Sequence, residues 1–245
     1  MGLPDSIEAA LFDLDGVLTS TAALHRRAWK QVFDRFLADR AGPGYRPFDE
    51  RDYLDFVDGR PRQEGVREFL RARGITLPDG EPGDAADAPT VWGVGNRKNE
   101  LLLAMIDREG VHAYPGSVDY VSAVREHGLR VAVVTSSANA AAVLAATNLD
   151  RLIDIRVDGT TIARRGLKGK PAPDSFLAAA ADLGVEPGRA AVFEDAVSGV
   201  RAGRAGGFGY VVGVDRVRDG RHDKALAVGG ADIVVTDLSE LKGER

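Results

Sequence analysis

The sequence predicts an α/β protein: a Rossmann-like parallel β-sheet core with an all-helical cap domain inserted after the first strand. Short apolar runs flanked by turn residues alternate with amphipathic helical patterns along most of the 245-residue chain. Such repetition of strand and helix produces parallel strands with helices on both faces of the sheet. Between residues 21 and 97 the alternation stops, and this stretch shows helical patterns without a convincing strand.

The predicted strands are short runs of apolar residues, as expected for strands that are buried on both faces. They cover Ala9–Leu14, Val131–Thr135, Ala191–Phe193, Tyr210–Val214 and Ile233–Val235. Amphipathic patterns predict helices over Ser117–Glu126, Ala140–Ala146 and Asp174–Leu183. Two of these helices are followed by glycine, which commonly ends a helix.

The inserted segment predicts helices over Leu24–Leu37 and Arg62–Ala72, and an exposed loop over the Pro-, Gly- and Asp-rich residues 78–89. We therefore expect a core of residues 1–20 and 98–245 and a helical cap of residues 21–97. An insertion after the first strand is expected above the carboxyl end of that strand, where open α/β sheets bind ligands.

Composition excludes several classes of function. The chain has no cysteine, which excludes disulfides, thiolate metal sites and cysteine nucleophiles. Its 32 basic and 37 acidic residues are mixed along the chain, so no basic face for nucleic acid is evident. No apolar run approaches the about 20 residues that span a bilayer, and the N-terminal residues lack the features of a secretory signal. We expect a cytoplasmic protein that binds neither nucleic acid nor membrane.

Two carboxylates, Asp13 and Asp15, stand where the first apolar run gives way to Gly16. If the strand continued, both side chains would share one face of it. Like charges at a buried strand end are costly unless a cation neutralises them, and hard oxygen ligands of this kind suit Mg²⁺. A pair of solvated turn aspartates would explain the same residues.

A cluster of hydroxyl and amide side chains follows the second predicted strand, and a helix begins after it. Its members are Thr135, Ser136, Ser137 and Asn139. Hydroxyl groups and the N–H groups of a helix start suit a phosphate. They equally suit ordinary N-capping.

Two further signals follow along the chain. Lys170 lies between Gly169 and Pro171 just before a helix, where proline would fix the approach of a cation; a solvated surface lysine is the alternative. Glu194 and Asp195 form a second acidic pair at the end of a buried strand. A helix cap would also explain that pair.

Taken in order, the acidic pair, hydroxyl cluster, proline-framed lysine and second acidic pair resemble the four motifs of the haloacid dehalogenase-like superfamily. The resemblance covers nearly the whole chain. Within that superfamily the chain resembles the β-phosphoglucomutase subfamily. This second resemblance rests on Phe12-Asp13-Leu14-Asp15-Gly16-Val17-Leu18-Thr19, Thr21, His25-Arg26-Arg27-Ala28-Trp29, Gly59-Arg60-Pro61-Arg62, Arg97-Lys98-Asn99, Tyr114-Pro115-Gly116, Lys170-Pro171-Ala172-Pro173-Asp174 and Glu194-Asp195.

The resemblance implies phosphoryl transfer through an aspartyl phosphate, with Mg²⁺ as cofactor. Asp13 is then the nucleophile, and Asp15 is the general acid and base. The carboxylates of Asp13 and Asp195 and the backbone carbonyl of Asp15 ligate the metal, while Glu194 ligates it or orients a bound water. Transferred phosphoryl oxygens are held by Thr135, Ser136 and Lys170.

The resemblance also assigns roles to cap residues. His25 orients Asp15, and Arg62 holds a second phosphate with help from Ser137 and Asn139. Thr21 matches a further catalytic position; the matches to substrate-binding positions are Trp29, Gly59, Arg60 and Lys98. A cap of this kind closes over the site and expels water.

Asp58 and Ala138 occupy positions where the family has lysine, and we expect Arg60 or Lys98 to supply the missing charge. The expected reaction converts β-D-glucose 1-phosphate to glucose 6-phosphate through a bisphosphate intermediate. The alternatives are a Mg²⁺-dependent sugar-phosphate phosphatase and a non-catalytic sugar-phosphate-binding protein. The expected partner is a small sugar phosphate, and the expected oligomeric state is a monomer.

Overall fold

The structure is a computed structural model that describes residues 1–242, apart from the side chains of Ala41 and Pro43. It divides into two compact units. The first unit contains Met1–Ser20 and the described residues from Val111 onward, and the second unit is Thr21–Gly110.

The regular structure of the second unit is helical. It comprises α1 (Thr21–Ala41), α2 (Glu50–Asp52), a π-helical turn at Tyr53–Val57, α3 (Arg62–Ala72) and α4 (Val91–Glu109). The core of this unit is aromatic: the Phe33 ring centroid lies 4.1 Å from that of Phe69 and 5.0 Å from those of Trp29 and Phe48. Buried ring contacts of this kind give the unit a hydrophobic core of its own.

The boundary of the helical unit differs from the one that the sequence predicts. The prediction ends the cap at residue 97, but α4 continues without a break to Glu109. The structure places the division after Gly110, whose φ of +75° ends the helix. The predicted boundary thus falls inside a continuous helix, because sequence patterns define the ends of elements less well than their existence.

A six-stranded parallel sheet, counted over residues 1–242, forms the centre of the first unit. Its strands are β1 (Ala9–Phe12), β2 (Arg130–Val134), β3 (Ile155–Val157), β4 (Ala190–Glu194), β5 (Tyr210–Val214) and β6 (Ile233–Val235). The strand order is β3-β2-β1-β4-β5-β6. The order reverses at β1, which makes the carboxyl end of β1 the expected ligand site. The predicted α/β class with a Rossmann-like parallel sheet is confirmed.

Helices pack on both faces of the sheet, where two separate apolar clusters are buried. They are α5 (Pro115–Glu126), α6 (Ala140–Ala146), α7 (Gly159–Arg165), α8 (Asp174–Leu183), α9 (Val197–Ala205) and α10 (His222–Gly229). No helix within the described residues is both long and apolar enough to cross a membrane.

Two segments of the first unit flank the helical insertion, and they run side by side. The Ser20 N–H donates to the His112 carbonyl (2.9 Å), and the Tyr114 N–H donates to the Leu18 carbonyl (2.9 Å). Thr19 forms an antiparallel bridge with Ala113. The chain therefore leaves the first unit and returns to it at neighbouring points.

Candidate active site

The carboxyl ends of β1, β2 and β4 meet at one edge of the sheet, because these parallel strands are direct neighbours. Asp13 follows β1, and its N–H donates to the Phe193 carbonyl (2.9 Å). Thr135 follows β2, and its N–H donates to the Val157 carbonyl (3.0 Å). The strand pairing thus continues into the residues that carry the polar side chains.

Lys170 is the buried centre of this group. Its Nζ atom lies 2.6 Å from Asp13 Oδ1 and 2.5 Å from Glu194 Oε1, and it donates to the Val134 carbonyl at 3.2 Å. These three acceptors match the three hydrogens of an ammonium group. The side chain of Lys170 is fully buried, so the alternative of a solvated surface lysine does not apply.

The electrostatics of this group favour an additional cation. Burial raises the pKa of Asp13 well above its ordinary value, and the charges of Glu194 and Asp15 add to this against the opposing effect of Lys170. Burial alone would lower the pKa of Lys170, but attraction to Asp13 and Glu194 outweighs it and raises that pKa. Lys170 therefore stays an ammonium, and its single positive charge faces the carboxylates of both Asp13 and Glu194.

Asp15 contacts the hydroxyl cluster that follows β2. The Thr135 hydroxyl donates to Asp15 Oδ2 (3.1 Å) and accepts from the Ser137 N–H (3.1 Å). Ser137 Oγ in turn accepts from the Asn139 N–H (3.2 Å). The structure thus brings Asp15 and Thr135 together, and it gives Thr135 and Ser137 local hydrogen bonds that shape this turn.

The loop after β1 passes Asp195 at very close range. Gly16 has a φ of +94°, and a Cβ atom at this position would lie 1.9 Å from Asp195 Oδ2. Only glycine fits both conditions. The backbone carbonyl of Asp195 is 2.7 Å from Nε2 of the buried His222. Asp195 is therefore held beside the loop that carries Asp15.

The oxygen atoms at this strand edge fit a divalent cation. The carboxylates of Asp13 and Asp195 and the backbone carbonyl of Asp15 are oxygen donors of the kind that Mg²⁺ takes while it keeps several waters. Within the described part of the chain, no three His, Cys, Asp or Glu side chains are grouped so as to hold a metal. A site here would accordingly be completed by a backbone carbonyl, water and phosphate oxygens.

Both carboxylate oxygens of Glu194 contact protein donors. Its predicted role, as a metal ligand or in orienting a bound water, stays a prediction. Oε1 contacts Lys170, and Oε2 accepts from the Ala196 N–H (2.8 Å). The structure gives Glu194 the role of holding Lys170, a contact that the sequence does not reveal because the two residues are 24 positions apart.

Two residues that sequence reasoning missed support these side chains. Gly199 makes room for Glu194, since a Cβ atom on Gly199 would lie 1.8 Å from Glu194 Oε1. His222 contacts the carbonyl of Asp195. No signal in a single sequence marks either residue, because their partners are set by the strand order.

Seven further predicted site residues lie in the helical unit: Thr21, His25, Trp29, Gly59, Arg60, Arg62 and Lys98. Three of them meet within that unit. Lys98 Nζ is 3.0 Å from His25 Nδ1 and 5.1 Å from the centroid of the Trp29 ring. Lys98 is buried, so α1 and α4 enclose a cation between them.

Arg62, at the start of α3, has a buried Nε without a hydrogen-bond partner among the described residues, and the same is true of Gln63 Nε2. Burial lowers the pKa of Arg62. Gly95 of α4 lies against both side chains, since a Cβ atom there would be 3.4 Å from Arg62 Cγ and 3.6 Å from Gln63 Nε2. Buried donors without partners are rare in native structures, which makes these two side chains candidates for binding an anionic group. Sequence reasoning identified Arg62 but missed Gln63.

Comparison with known proteins agrees with this geometry. A family model described as haloacid dehalogenase-like hydrolase matches residues 7–207. The chain is 54% identical to a β-phosphoglucomutase of Mycobacterium tuberculosis (strain CDC 1551 / Oshkosh), over 98% of this chain and 94% of that protein. It is 32% identical to the β-phosphoglucomutase of Bacillus subtilis (strain 168), over 96% and 92% of the two chains.

Among solved structures, a mutant of CbbY from Rhodobacter sphaeroides in complex with xylulose-(1,5)bisphosphate is 27% identical to this chain. The two superpose with a TM-score of 0.71, and the match covers 97% of each chain. The family match and the identity to named mutases confirm the predicted resemblance. This chain is an enzyme that belongs to the haloacid dehalogenase-like hydrolase family and, within it, to the β-phosphoglucomutase subfamily.

Proposed function

We propose that this enzyme converts β-D-glucose 1-phosphate to glucose 6-phosphate through an aspartyl phosphate on Asp13 and a bisphosphate intermediate. The observation that carries the proposal is the buried contact of Lys170 with Asp13 (2.6 Å), beside a second carboxylate at Asp15. This arrangement supplies an anionic nucleophile, a neighbouring cation and an acid/base group in one place. Names of relatives at 54% and 32% identity support the choice of reaction.

In the first step an oxygen of the Asp13 carboxylate attacks phosphorus, and the bond between phosphorus and the leaving oxygen breaks. The ammonium of Lys170 faces the charge that spreads over the phosphoryl oxygens. Phosphoryl transfer depends mainly on such positioning and electrostatic stabilisation. Glu194 supports the step indirectly, because it holds Lys170 at 2.5 Å.

Asp15 moves the proton. It protonates the leaving oxygen of the donor phosphate and then, as a carboxylate, accepts the proton of the sugar hydroxyl that attacks the aspartyl phosphate. Thr135, which donates to Asp15 Oδ2 (3.1 Å), orients that carboxylate. A positioned acid/base group of this kind contributes roughly 10²- to 10⁴-fold to rate.

Mg²⁺ is the proposed cofactor, held by the carboxylates of Asp13 and Asp195 and by the backbone carbonyl of Asp15. When bound, it neutralises charge on the transferring phosphoryl group. The excess of carboxylates over ammonium groups around Lys170 supports a cation at this place. Glu194 is left out of the proposed ligand set, because both of its oxygens have protein donors.

A mutase also needs a hold on the second phosphate of the bisphosphate intermediate. Arg62 is the proposed residue, because its buried Nε has no partner among the described residues. Ser137 and Asn139 are proposed to assist it. Arg60 or Lys98 is proposed to replace the lysine that the family has at Asp58 or Ala138. Unchanged mutase turnover in both Arg60→Ala and Lys98→Ala would rule out that replacement.

The second candidate function is a sugar-phosphate phosphatase. It is favoured by Asp58 and Ala138, since the loss of a cation weakens a phosphate site by about 1.5–3 kcal/mol for each charge-assisted hydrogen bond. In a phosphatase, water rather than a sugar hydroxyl would resolve the aspartyl phosphate. A non-catalytic sugar-phosphate-binding protein would not require the contact between Asp13 and Lys170.

One assay separates these functions. The enzyme is incubated with β-D-glucose 1-phosphate, Mg²⁺ and a trace of glucose 1,6-bisphosphate, and both glucose 6-phosphate and free phosphate are measured. We expect glucose 6-phosphate without matching phosphate release, and no product from the isosteric control Asp13→Asn or after removal of Mg²⁺ with a chelator. Dominant phosphate release would establish the phosphatase instead, and an absence of both products over a panel of sugar phosphates would contradict both enzymes.

A further inference from the structure

Arg216 follows β5, and its guanidinium reaches the loop that comes directly after Asp15. Its Nε donates to the Gly16 carbonyl (3.2 Å), and its Nη2 lies 3.4 Å from the Val17 carbonyl. The Arg216 side chain is only 15% exposed. An arginine thus binds the backbone of the loop that carries the proposed acid/base residue.

This loop needs a restraint from outside itself. It turns back on Leu14, whose carbonyl accepts from the N–H groups of Leu18 and Thr19 (both 3.0 Å). Gly16 is required there by the close approach of Asp195, yet glycine leaves the backbone freer to rotate than any other residue. A rotation at Gly16 would move the carbonyl and the carboxylate of Asp15. The donors of Arg216 hold the peptide groups immediately after that point.

Arg216 is itself fixed from two directions. Nη1 is 2.7 Å from Asp237 Oδ2 and donates to the Thr236 carbonyl (2.8 Å), and the guanidinium carbon lies 3.9 Å from the centroid of the Tyr114 ring. Planar guanidinium groups suit this combination of forked hydrogen bonds and ring stacking. Gly116 permits it, because a Cβ atom there would lie 1.9 Å from Asp237 Oδ1.

Ser117 forms a second link between Arg216 and the loop that follows Asp15. Its hydroxyl donates to the Val17 carbonyl (2.7 Å) and accepts from Arg216 Nη2 (3.2 Å). Ser117 is fully buried. The loop after Asp15, the start of α5 and the segment after β6 are therefore joined through one guanidinium.

We propose that Arg216 is a positioning residue that holds the loop of residues 14–19, so that the carboxylate and the carbonyl of Asp15 stay placed for phosphoryl transfer. The inference rests on the function proposed above for Asp15. Arg216 acts through the backbone of Gly16 and Val17.

Arg204 offers a matched control within the same unit. Its Nε and Nη2 atoms donate to the Gly230 carbonyl (2.9 and 2.6 Å), and Nη2 is 2.7 Å from Asp232 Oδ1. It therefore combines a carbonyl and an aspartate as Arg216 does, but it serves the turn after α10 and has no role in the proposed site.

The test compares Arg216→Ala, Arg216→Lys and Arg204→Ala by hydrogen–deuterium exchange and by steady-state kinetics. In Arg216→Ala we expect faster deuterium uptake in the peptide covering residues 14–20. We also expect kcat to fall on the order of 10- to 100-fold, since small misplacements of reacting groups cost this much, with KM changed by less than about 3-fold. Arg216→Lys should recover part of both effects, and Arg204→Ala should change neither.

Wild-type exchange of residues 14–20 in Arg216→Ala, or an equal loss of kcat in Arg204→Ala, would overturn the proposal. If Arg216→Ala does not fold, Arg216→Lys and Ser117→Ala carry the same comparison. Should the wild-type enzyme show neither mutase nor phosphatase turnover, the proposed function fails. The exchange measurement still decides whether Arg216 holds the loop.

Discussion

Lys170 and Glu194 form an ion pair in which both side chains are fully buried and Nζ lies 2.5 Å from Oε1. Lys170 completes its contacts with Asp13 and the Val134 carbonyl. Glu194 completes its own with the Ala196 N–H. Lys170, which contacts the proposed nucleophile Asp13, is therefore held in place by a carboxylate at the end of β4.

Removing that carboxylate should damage both stability and activity. We expect Glu194→Ala to lower the free energy of unfolding by about 3–5 kcal/mol, the usual cost of breaking a buried ion pair, and to lower kcat. Glu194→Gln keeps the shape and should cost less. Urea unfolding and the mutase assay measure the two effects. Glu8→Ala, which breaks an exposed pair with Arg189, is the control and should change neither; a stable, fully active Glu194→Ala would contradict the role of Glu194.

The close approach of Gly16 and Asp195 gives a second prediction. Gly16→Ala places a Cβ atom 1.9 Å from Asp195 Oδ2 at a φ of +94°, so either the loop or Asp195 must move. We expect kcat to fall at least about 100-fold. Gly128→Ala is the control, because it also has a positive φ (+83°) but nothing within 4 Å of the added atom. It should lose only about 1 kcal/mol of stability from backbone strain. Equal activity of the two variants would show that the contact with Asp195 does not matter.

Asp237 gives a pH-dependent prediction. Burial acts to raise its pKa, but hydrogen bonds from Arg216 and Ser239 outweigh this and hold the pKa below its ordinary value. A carboxyl whose pKa is lower in the folded state contributes stability above the unfolded value of about 3.9, and that contribution is lost as the pH falls through the folded value. The difference in unfolding free energy between wild type and Asp237→Asn should therefore be largest near neutral pH and shrink below about pH 4. Denaturant titrations over this range test it, and a difference that grows on acidification would be the wrong sign.

Arg62 should show opposite effects on stability and on binding. Its Nε is buried without a partner among the described residues, and burial lowers its pKa. Arg62→Met removes a desolvated charge, so the thermal midpoint of the free protein should hold or rise, while the KM for the bisphosphate should increase by at least about tenfold. Arg67→Met is the control on the same helix, where an exposed arginine pairs with Asp79 (2.8 Å). An unchanged KM in Arg62→Met would remove Arg62 from the proposed phosphate site.

Several features were predictable because they depend on local chemistry. Asp13 and Thr135 were recognisable at strand ends, since buried parallel strands are continuous apolar runs that stop at polar residues. Parallel strands also place their carboxyl ends together, so Asp13 and Thr135 could be expected at one edge of the sheet. Lys170 lies between α7 and α8 rather than at a strand end, and only the family resemblance placed it at the site. The family resemblance confirmed by the comparisons rests on the same residues.

Other features depend on contacts between distant residues and could not be predicted. β3 was missed because Ile155–Val157 is a short edge strand in which only Val157 is fully buried, which leaves no apolar run to detect. The end of the helical unit was missed because α4 runs without a break past residue 97. The contact of Arg216 with Gly16 joins residues that are 200 positions apart in the sequence, and neither residue type predicts such a contact.

The neighbouring exit and return points of the chain have an evolutionary and practical consequence. Because the Ser20 N–H bonds to the His112 carbonyl (2.9 Å), the sheet unit would remain continuous if a tight turn replaced residues 21–110. The helical unit can then be exchanged as a whole for another insertion. We expect that it can be replaced without rebuilding the strand that precedes Asp13, the proposed nucleophile. An engineer can graft another insertion at the same two points.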